Sequence, residues 1–265
     1  MAACATTSKA ANHPLGRTCR RVPVDPIAHI GLLCPQTPVL KHLGHMEKLV
    51  DGVHHFQDKV FPENRENYEN MAKWQQKPLA VFVTCADSRV MPTMFTQSDP
   101  GDLFFVRNAG NIVPPHGSQA GGEAATIEYA VSVLGVRQII VCGHSQCGAM
   151  KAIIDTPEAL EPLPNVRQWL HHADATRQIV NHKYKHLKGE ERLVAAIEEN
   201  VLVQINNLST HPGIAMLLAT GELKVFGWYF DIATGQVHHY NPRTGQFEKL
   251  THEDQGVSAI PLRHI

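Results

Sequence analysis

The chain has 265 residues, of which 43% are hydrophobic, and a formal net charge of -1 at pH 7. This balance gives no reason to expect nucleic acid or an anionic membrane as a partner. No apolar run reaches the roughly 18 residues that a transmembrane helix needs. The six cysteines are scattered along a chain long enough to bury its own core, which favours a reducing, cytoplasmic location and thiols used for metal binding or packing.

The first 45 residues differ in composition from the rest. They are rich in small residues and proline, and four basic residues precede the first acidic one, Asp25. Organelle transit peptides share this bias, so an organelle is an alternative location. A disordered extension, or a chain that truly begins at Met46, explains it more simply. We therefore expect residues 1–45 to be a disordered extension and residues 46–265 to form a single domain.

Taken in order, the apolar residues of 46–60 recur at helical spacing and predict an N-terminal helical arm, which Pro62 ends. The same criteria predict further helices at 119–134, 147–154, 162–180 and 190–208. Short apolar or β-branched runs predict strands at 79–84, 103–106, 137–141, 224–231 and 236–240. Because strands alternate with helices, we predict an α/β fold. It would have a mainly parallel sheet flanked by helices and an antiparallel edge strand.

Three residues that can bind one metal ion follow two of these strands. Cys85 comes directly after the first strand, and His144 and Cys147 follow the third. Parallel strands place ligands at their carboxyl ends, so these side chains should meet at one edge of the sheet. Two thiolates and one imidazole supply three arms of a tetrahedron, as in a catalytic zinc site. The alternative is that a buried His and Cys in this turn serve only for packing.

The remaining cysteines are poor candidates for a fourth ligand. Cys142 lies inside the third strand, two residues before His144, and should point elsewhere. The other three lie in the predicted extension. A structural zinc site would normally close its shell with a fourth Cys or His. We therefore predict one catalytic zinc ion per subunit, with a coordination position left for solvent.

Asp87 and Arg89 follow the first predicted ligand closely. Two thiolates cancel the formal charge of Zn²⁺, so ionising bound water near neutral pH needs help. Asp87 can accept a hydrogen bond from the bound hydroxide, and Arg89 can keep Asp87 ionised and oriented. Asp87 could instead bind zinc as a fourth ligand and close the site, most readily at low pH. A plain ion pair that stabilises the turn is the simpler alternative.

Residues 85–89, CADSR, and 144–148, HSQCG, together resemble the β-class carbonic anhydrases. That family has the patterns C-x-D-x-R and H-x-x-C-G at about this separation, and the likeness extends over residues 46–250. Ala86 departs mildly from the usual serine. The resemblance implies zinc-dependent, reversible hydration of CO₂ to bicarbonate and a proton, by attack of zinc-bound hydroxide.

The resemblance also implies a plant-like substrate pocket. By that likeness, Gln76 comes from the neighbouring subunit and hydrogen-bonds an oxygen of CO₂ or bicarbonate. Phe104, Ala109 and Tyr129 match a small apolar wall, and the backbone near Gly148 can stabilise an oxygen.

A homodimer, or an assembly of dimers, that exchanges N-terminal helices is a further implication. Part of the sequence is similar to carboxysome-associated members, which adds that compartment as an alternative location. Two other functions stay open. One is hydrolysis of CS₂ or COS on the same scaffold. The other is a non-catalytic, zinc-stabilised scaffold or bicarbonate-binding protein.

Overall fold

The structure is a computed structural model, and it describes residues 43–118, 121–252 and 256–261. The chain divides into two compact units, Met1–Asp51 and Gly52–Ile265. The predicted extension lies almost wholly outside the described residues, so its disorder and the boundary at residue 45 stay predictions. Within the described ranges, no helix combines the length and the apolar character that crossing a membrane requires.

The strands of the second unit form one mixed sheet. In the part of the chain that the structure describes, it has six strands in the order β2-β1-β3-β4-β5-β6. They are β1 (Ala80–Cys85), β2 (Leu103–Asn108), β3 (Gln138–His144), β4 (Lys224–Phe230), β5 (Val237–Asn241) and β6 (Gln246–Lys249). β1 to β4 pair in parallel, whereas β5 and β6 are antiparallel. The predicted α/β fold, with its antiparallel edge, is therefore confirmed.

The helices also follow the predicted order, with several additions. They are α1 (Leu43–His55), α2 (Phe61–Glu63), α3 (Arg65–Lys73), α4 (Pro92–Thr96), α5 (Gly122–Glu128), α6 (Gly148–Ile154), α7 (Pro164–Leu170), α8 (Asp174–Lys183), α9 (Gly189–Ser209) and α10 (Pro212–Ala219). The predicted helix 162–180 is divided by a 3₁₀ turn at His171–Ala173.

The predicted helix end at Pro62 is wrong. A π-helical turn, Phe56–Val60, joins α1 to α2, and the chain stays helical through Glu63. Pro62 lies in the first turn of α2, directly after this π-helical turn. The helices α3, α4 and α10 and the short polar strand β6 were not predicted.

The long helix α9 packs closely on the middle of the sheet. A Cβ atom added at Gly143 would lie 2.6 Å from Cγ2 of Ile197, and one added at Gly227 would lie 3.1 Å from Cγ1 of Val201. Glycine at these two strand positions therefore sets how near the helix can come. Because Gly143 directly precedes His144, the packing of α9 is coupled to the edge of the sheet where the predicted metal ligands lie.

We expect Gly143→Ala to destabilise the protein by about 1–3 kcal/mol, as overpacking of a core does. Cγ2 of Ile197 is attached at a β-branched carbon and cannot swing away without moving α9. Urea unfolding measures the change. Gly213→Ala is the matched control, because its Cβ would meet nothing within 4 Å and alanine favours a helix. Equal stability of Gly143→Ala and the parent chain would contradict the close packing described here.

Candidate active site

The three predicted metal ligands lie together at the carboxyl edge of the sheet. β1 ends at Cys85, β3 ends at His144, and Cys147 directly precedes α6. Because β1 and β3 are adjacent parallel strands, their ends meet. The potential ligand atoms of Cys85, His144 and Cys147 all lie within 4.8 Å of one another, and all three residues are buried.

The ring of His144 is fixed in the orientation of a metal ligand. Its side chain is fully buried, and Nδ1 lies 2.9 Å from the carbonyl oxygen of Ser145. Nδ1–H therefore donates to that oxygen, which leaves a lone pair on Nε2. Among the described residues, Nε2 has no hydrogen-bond partner although it is buried. In metal sites, the histidine nitrogen that does not bind the metal typically donates its N–H to a carbonyl or carboxylate oxygen. A buried Nε2 with a free lone pair is costly unless a metal or a donor binds it.

The two cysteines form a pair with one dominant thiolate. The pKa of Cys85 is lowered to about 4, chiefly by a hydrogen bond from Cys147 and further by the backbone N–H groups of Gly110 and Asp87. Burial opposes this shift. The hydrogen bond that Cys147 donates to the sulfur of Cys85, together with its own burial, raises the pKa of Cys147. A divalent cation would take over the role of that proton. Two sulfurs and one imidazole nitrogen are a normal donor set for zinc, so the residues fit the ion.

Cys142 is separated from this group, as predicted from its place in β3. It is buried in a core cluster with Phe82 and Phe226, and burial raises the pKa of its thiol far above the ordinary range. In the part of the chain that the structure describes, the His, Cys and carboxylate groups that could hold a metal are those of Cys85, His144 and Cys147.

Asp87 borders the same space and is held by Arg89. Nε and the backbone N–H of Arg89 both donate to Oδ1 of Asp87 at 3.0 Å, and Nη2 donates to Oδ2 at 2.8 Å. These hydrogen bonds lower the pKa of Asp87 despite its partial burial. Oδ2 lies 4.0 Å from Nε2 of His144. An ionised carboxylate thus faces the potential ligand atoms while its other side is fixed.

Arg107 supports the loop that carries Cys85 and Asp87. From β2 its guanidinium donates to the carbonyl oxygens of Cys85, Asp87 and Val90, at distances from 2.9 to 3.2 Å. The sequence does not predict this role. An arginine that follows four apolar residues in a strand suggests a specific polar partner, but its three acceptors become apparent only when β1 and β2 are paired.

The predicted pocket residues are partly assembled. The ring centroids of Phe104 and Tyr129 are 6.3 Å apart, and Tyr129 is 45% exposed. Ala109 and Gly148 are exposed on segments next to Cys85 and Cys147. Gln76 is exposed between α3 and β1, and within the described residues no hydrogen bond joins it to the three ligands.

Comparisons with known proteins agree with this geometry. The family model described as carbonic anhydrase matches residues 80–237. The carbonic anhydrase of Synechococcus elongatus is 40% identical over 218 residues, 82% of this chain and 77% of the relative. That of Pseudomonas aeruginosa is 44% identical over 215 residues, 81% of this chain and 96% of the relative.

Solved structures give the same answer. The β-carbonic anhydrase CcaA is 42% identical, with a TM-score of 0.77, over 83% of this chain and 95% of CcaA. One of two tetrameric β-carbonic anhydrases of Sordaria macrospora is 27% identical, with a TM-score of 0.65, over 74% of this chain and 96% of that one. From its sequence, its fold and the cluster of two cysteines and a histidine, this chain belongs to the β-carbonic anhydrase family.

Proposed function

We propose that this chain catalyses the reversible hydration of CO₂ to bicarbonate and a proton, with one zinc ion held by Cys85, His144 and Cys147. The observation that carries the proposal is the convergence of their ligand atoms within 4.8 Å beside the ionised Asp87. A scaffold or bicarbonate-binding protein would need no such carboxylate. The relatives described above carry the name carbonic anhydrase, which favours CO₂ over CS₂ or COS as substrate.

A zinc ion in this site would supply Lewis acidity, which commonly brings the pKa of water toward about 7 and would provide a nucleophile near neutral pH. The residues of the chain would then orient that nucleophile. Oδ1 of Asp87 accepts two hydrogen bonds from Arg89, whereas Oδ2 accepts one. A carboxylate oxygen has two lone pairs, so Oδ2 retains one for the O–H of a water molecule. Asp87 thus orients the attacking oxygen, and Arg89 prevents the carboxylate from turning.

We also propose that Asp87 can close the site as a fourth ligand. Its Oδ2 is already 4.0 Å from Nε2 of His144, so a small movement would bring it to the metal. That movement would break the hydrogen bonds with Arg89. The two states of Asp87 therefore exclude one another.

The substrate pocket that we propose is formed by Gln76, Phe104, Ala109, Tyr129 and Gly148. CO₂ has no net charge or dipole and needs few polar contacts, which suits the neighbouring rings of Phe104 and Tyr129. Gln76 would supply one hydrogen bond to an oxygen, from the neighbouring subunit. Its exposure in the single chain is consistent with that role.

A homodimer, or an assembly of dimers, is the proposed working form. The apolar side chains of the N-terminal helix are exposed, from 44% to 66%, at Met46, Leu49, Val50 and Val53. Apolar side chains grouped on an exposed helix mark an interaction surface. The tetrameric proteins of Sordaria macrospora show that similar chains assemble.

We further propose a reducing compartment, with the cytoplasm as the location. Among the described residues, Cys85, Cys142 and Cys147 are free thiols. Oxidising surroundings would join the first and third, whose sulfurs are close, and so remove two metal ligands.

We expect Cys147→Ser to lose zinc and CO₂ hydration together, because a hydroxyl is a poor zinc ligand at neutral pH. Zinc content by mass spectrometry and stopped-flow CO₂ hydration measure the two losses. Cys142→Ser is the matched control and should keep about one zinc ion per chain, since Cys142 lies in a separate core cluster. Retention of full zinc content by Cys147→Ser would refute the assigned ligand set.

Asp87→Asn should keep its zinc but lower kcat/KM by about 10²-fold or more, within the usual range for removing a group that handles a proton. An amide side chain presents an N–H where Oδ2 now accepts. Asp174→Asn is the control, because Asp174 is likewise paired with an arginine, Arg177, on the surface. If the rate of Asp87→Asn stayed near that of the parent chain, the orienting role would be wrong.

The purified protein should have at least twice its chain mass of 29.3 kDa in light scattering. Leu49→Glu should reduce that mass, because a charge would be buried in the proposed interface. Lys48→Glu adds the same side chain to a different face of α1 and should leave the assembly intact. A monomeric parent chain, or identical masses for all three proteins, would rule out this interface.

A further inference from the structure

The peptide group between Ala109 and Gly110 connects Trp169 with the sulfur of Cys85 through two hydrogen bonds. The carbonyl oxygen of Ala109 accepts a hydrogen bond from Nε1–H of Trp169 at 2.8 Å. The N–H of the same peptide group belongs to Gly110 and donates to Sγ of Cys85, with 3.4 Å between nitrogen and sulfur. The indole, the peptide and the sulfur thus form one continuous chain of donors and acceptors.

The next peptide group, Gly110–Asn111, is held by α9. Nδ2 of Asn200 donates to the carbonyl oxygen of Gly110 at 2.9 Å. Oδ1 of Asn200 accepts from Gln204 at 2.9 Å and from Thr176 at 3.2 Å, and all three side chains are buried. Buried amides are held in place by such bonds, because leaving them unsatisfied is costly. Asn200 therefore has one allowed orientation, with its N–H₂ group directed at Gly110.

Little space is left for Gly110 to move. Its φ of +85° is a conformation that favours glycine. A Cβ atom added there would lie 3.1 Å from Cε of Met150 and 3.2 Å from Cβ of Ala149. The loop is thus in contact with α6, which begins directly after Cys147. Hydrogen bonds with Trp169 and Asn200 and the close approach of α6 therefore restrict the backbone of residues 109–110.

We propose that Trp169 and Asn200 are positioning residues for the metal centre: they hold the two peptide groups on either side of the Gly110 Cα atom, so that the N–H of Gly110 stays on the sulfur of Cys85. The bond from Trp169 also polarises that peptide, because hydrogen bonds in a chain strengthen one another. A donor on a thiolate withdraws electron density from sulfur and leaves more positive charge on the bound metal. Outer contacts of this kind tune metal sites in general. The inference rests on the proposed metal site.

Trp169→Phe is the cleanest test, since it removes the indole N–H and keeps an aromatic ring in contact with His172. The probe is Co²⁺ bound in place of zinc. Without the indole donor the N–H of Gly110 is less polarised and the sulfur becomes richer in electrons, so the thiolate-to-cobalt absorption band should move to longer wavelength. Zinc affinity, measured by competition with a chelator, should fall about 10-fold, at the lower end of the usual effect of outer-shell loss, because Cys85 is then held less firmly in its ligand position.

The control is Trp228→Phe. This indole is partly buried too, but its Nε1 has no hydrogen-bond partner among the described residues. The same chemical change should therefore leave the cobalt band and the zinc affinity unaltered. Equal spectra for Trp169→Phe and the parent protein would overturn the inference. Failure of the parent protein itself to bind Co²⁺ or zinc would instead refute the proposed function.

The role of Asn200 is tested with Asn200→Asp, which keeps an acceptor toward Thr176 and Gln204 and replaces the donor toward Gly110. It should shift the cobalt band in the same direction, whereas Thr176→Val, which keeps that donor, should not. If Asn200→Asp does not fold, hydrogen exchange in the parent protein tests the same proposal. The Gly110 amide should exchange slowly even after zinc is removed, because Trp169 and Asn200 hold it. Exchange as fast as in an exposed loop would overturn the proposal.

Discussion

The parallel pairing of β1 with β3 is the constraint on which the site depends. Its register places Thr84 opposite Cys142, so the two strands end together, with Cys85 and His144 at the same edge. Both strands are buried along almost their whole length, which fixes the register through the core. A shift of one residue would turn His144 to the other face of the sheet and remove it from the two cysteines.

The helix α9 connects this sheet with the loop after β2. Gly143 and Gly227 let the helix approach the strands, and at this short distance Asn200 and Gln204 reach the backbone of Gly110 and Val113. A more distant helix would leave these amides without partners in an apolar interior. The residues that pack α9 and the residues that shape the loop beside Cys85 therefore belong to one structural unit.

Much of the fold and the group of metal ligands could be predicted from sequence, because their signals are local. Apolar runs mark β1, β3 and β4, and the cysteines and histidine come directly after two of them. The hydrogen bonds of Trp169 and Asn200 could not be predicted, since their partners lie 60 and 90 residues away. In the sequence, Asn200 and Gln204 have the polar character of a solvent-facing helix side. β6 was missed because it is four residues long, with polar residues at three positions.

Charge and donor type explain why Asp87 is held in an ion pair, whereas the two cysteine sulfurs are not. A set of two sulfurs and an imidazole favours zinc over hard cations such as Mg²⁺, whereas an added carboxylate ligand would weaken that preference. Arg89 binds both oxygens of Asp87 and so competes with a metal for them. The carboxylate remains charged and close, 4.0 Å from Nε2 of His144, without being fixed as a ligand. In the proposed mechanism, the same ion pair keeps Asp87 out of the donor set and leaves Oδ2 able to accept a hydrogen bond from water. Cys85 has no such ion pair. Its sulfur, which accepts the N–H of Gly110, is a proposed ligand of the metal.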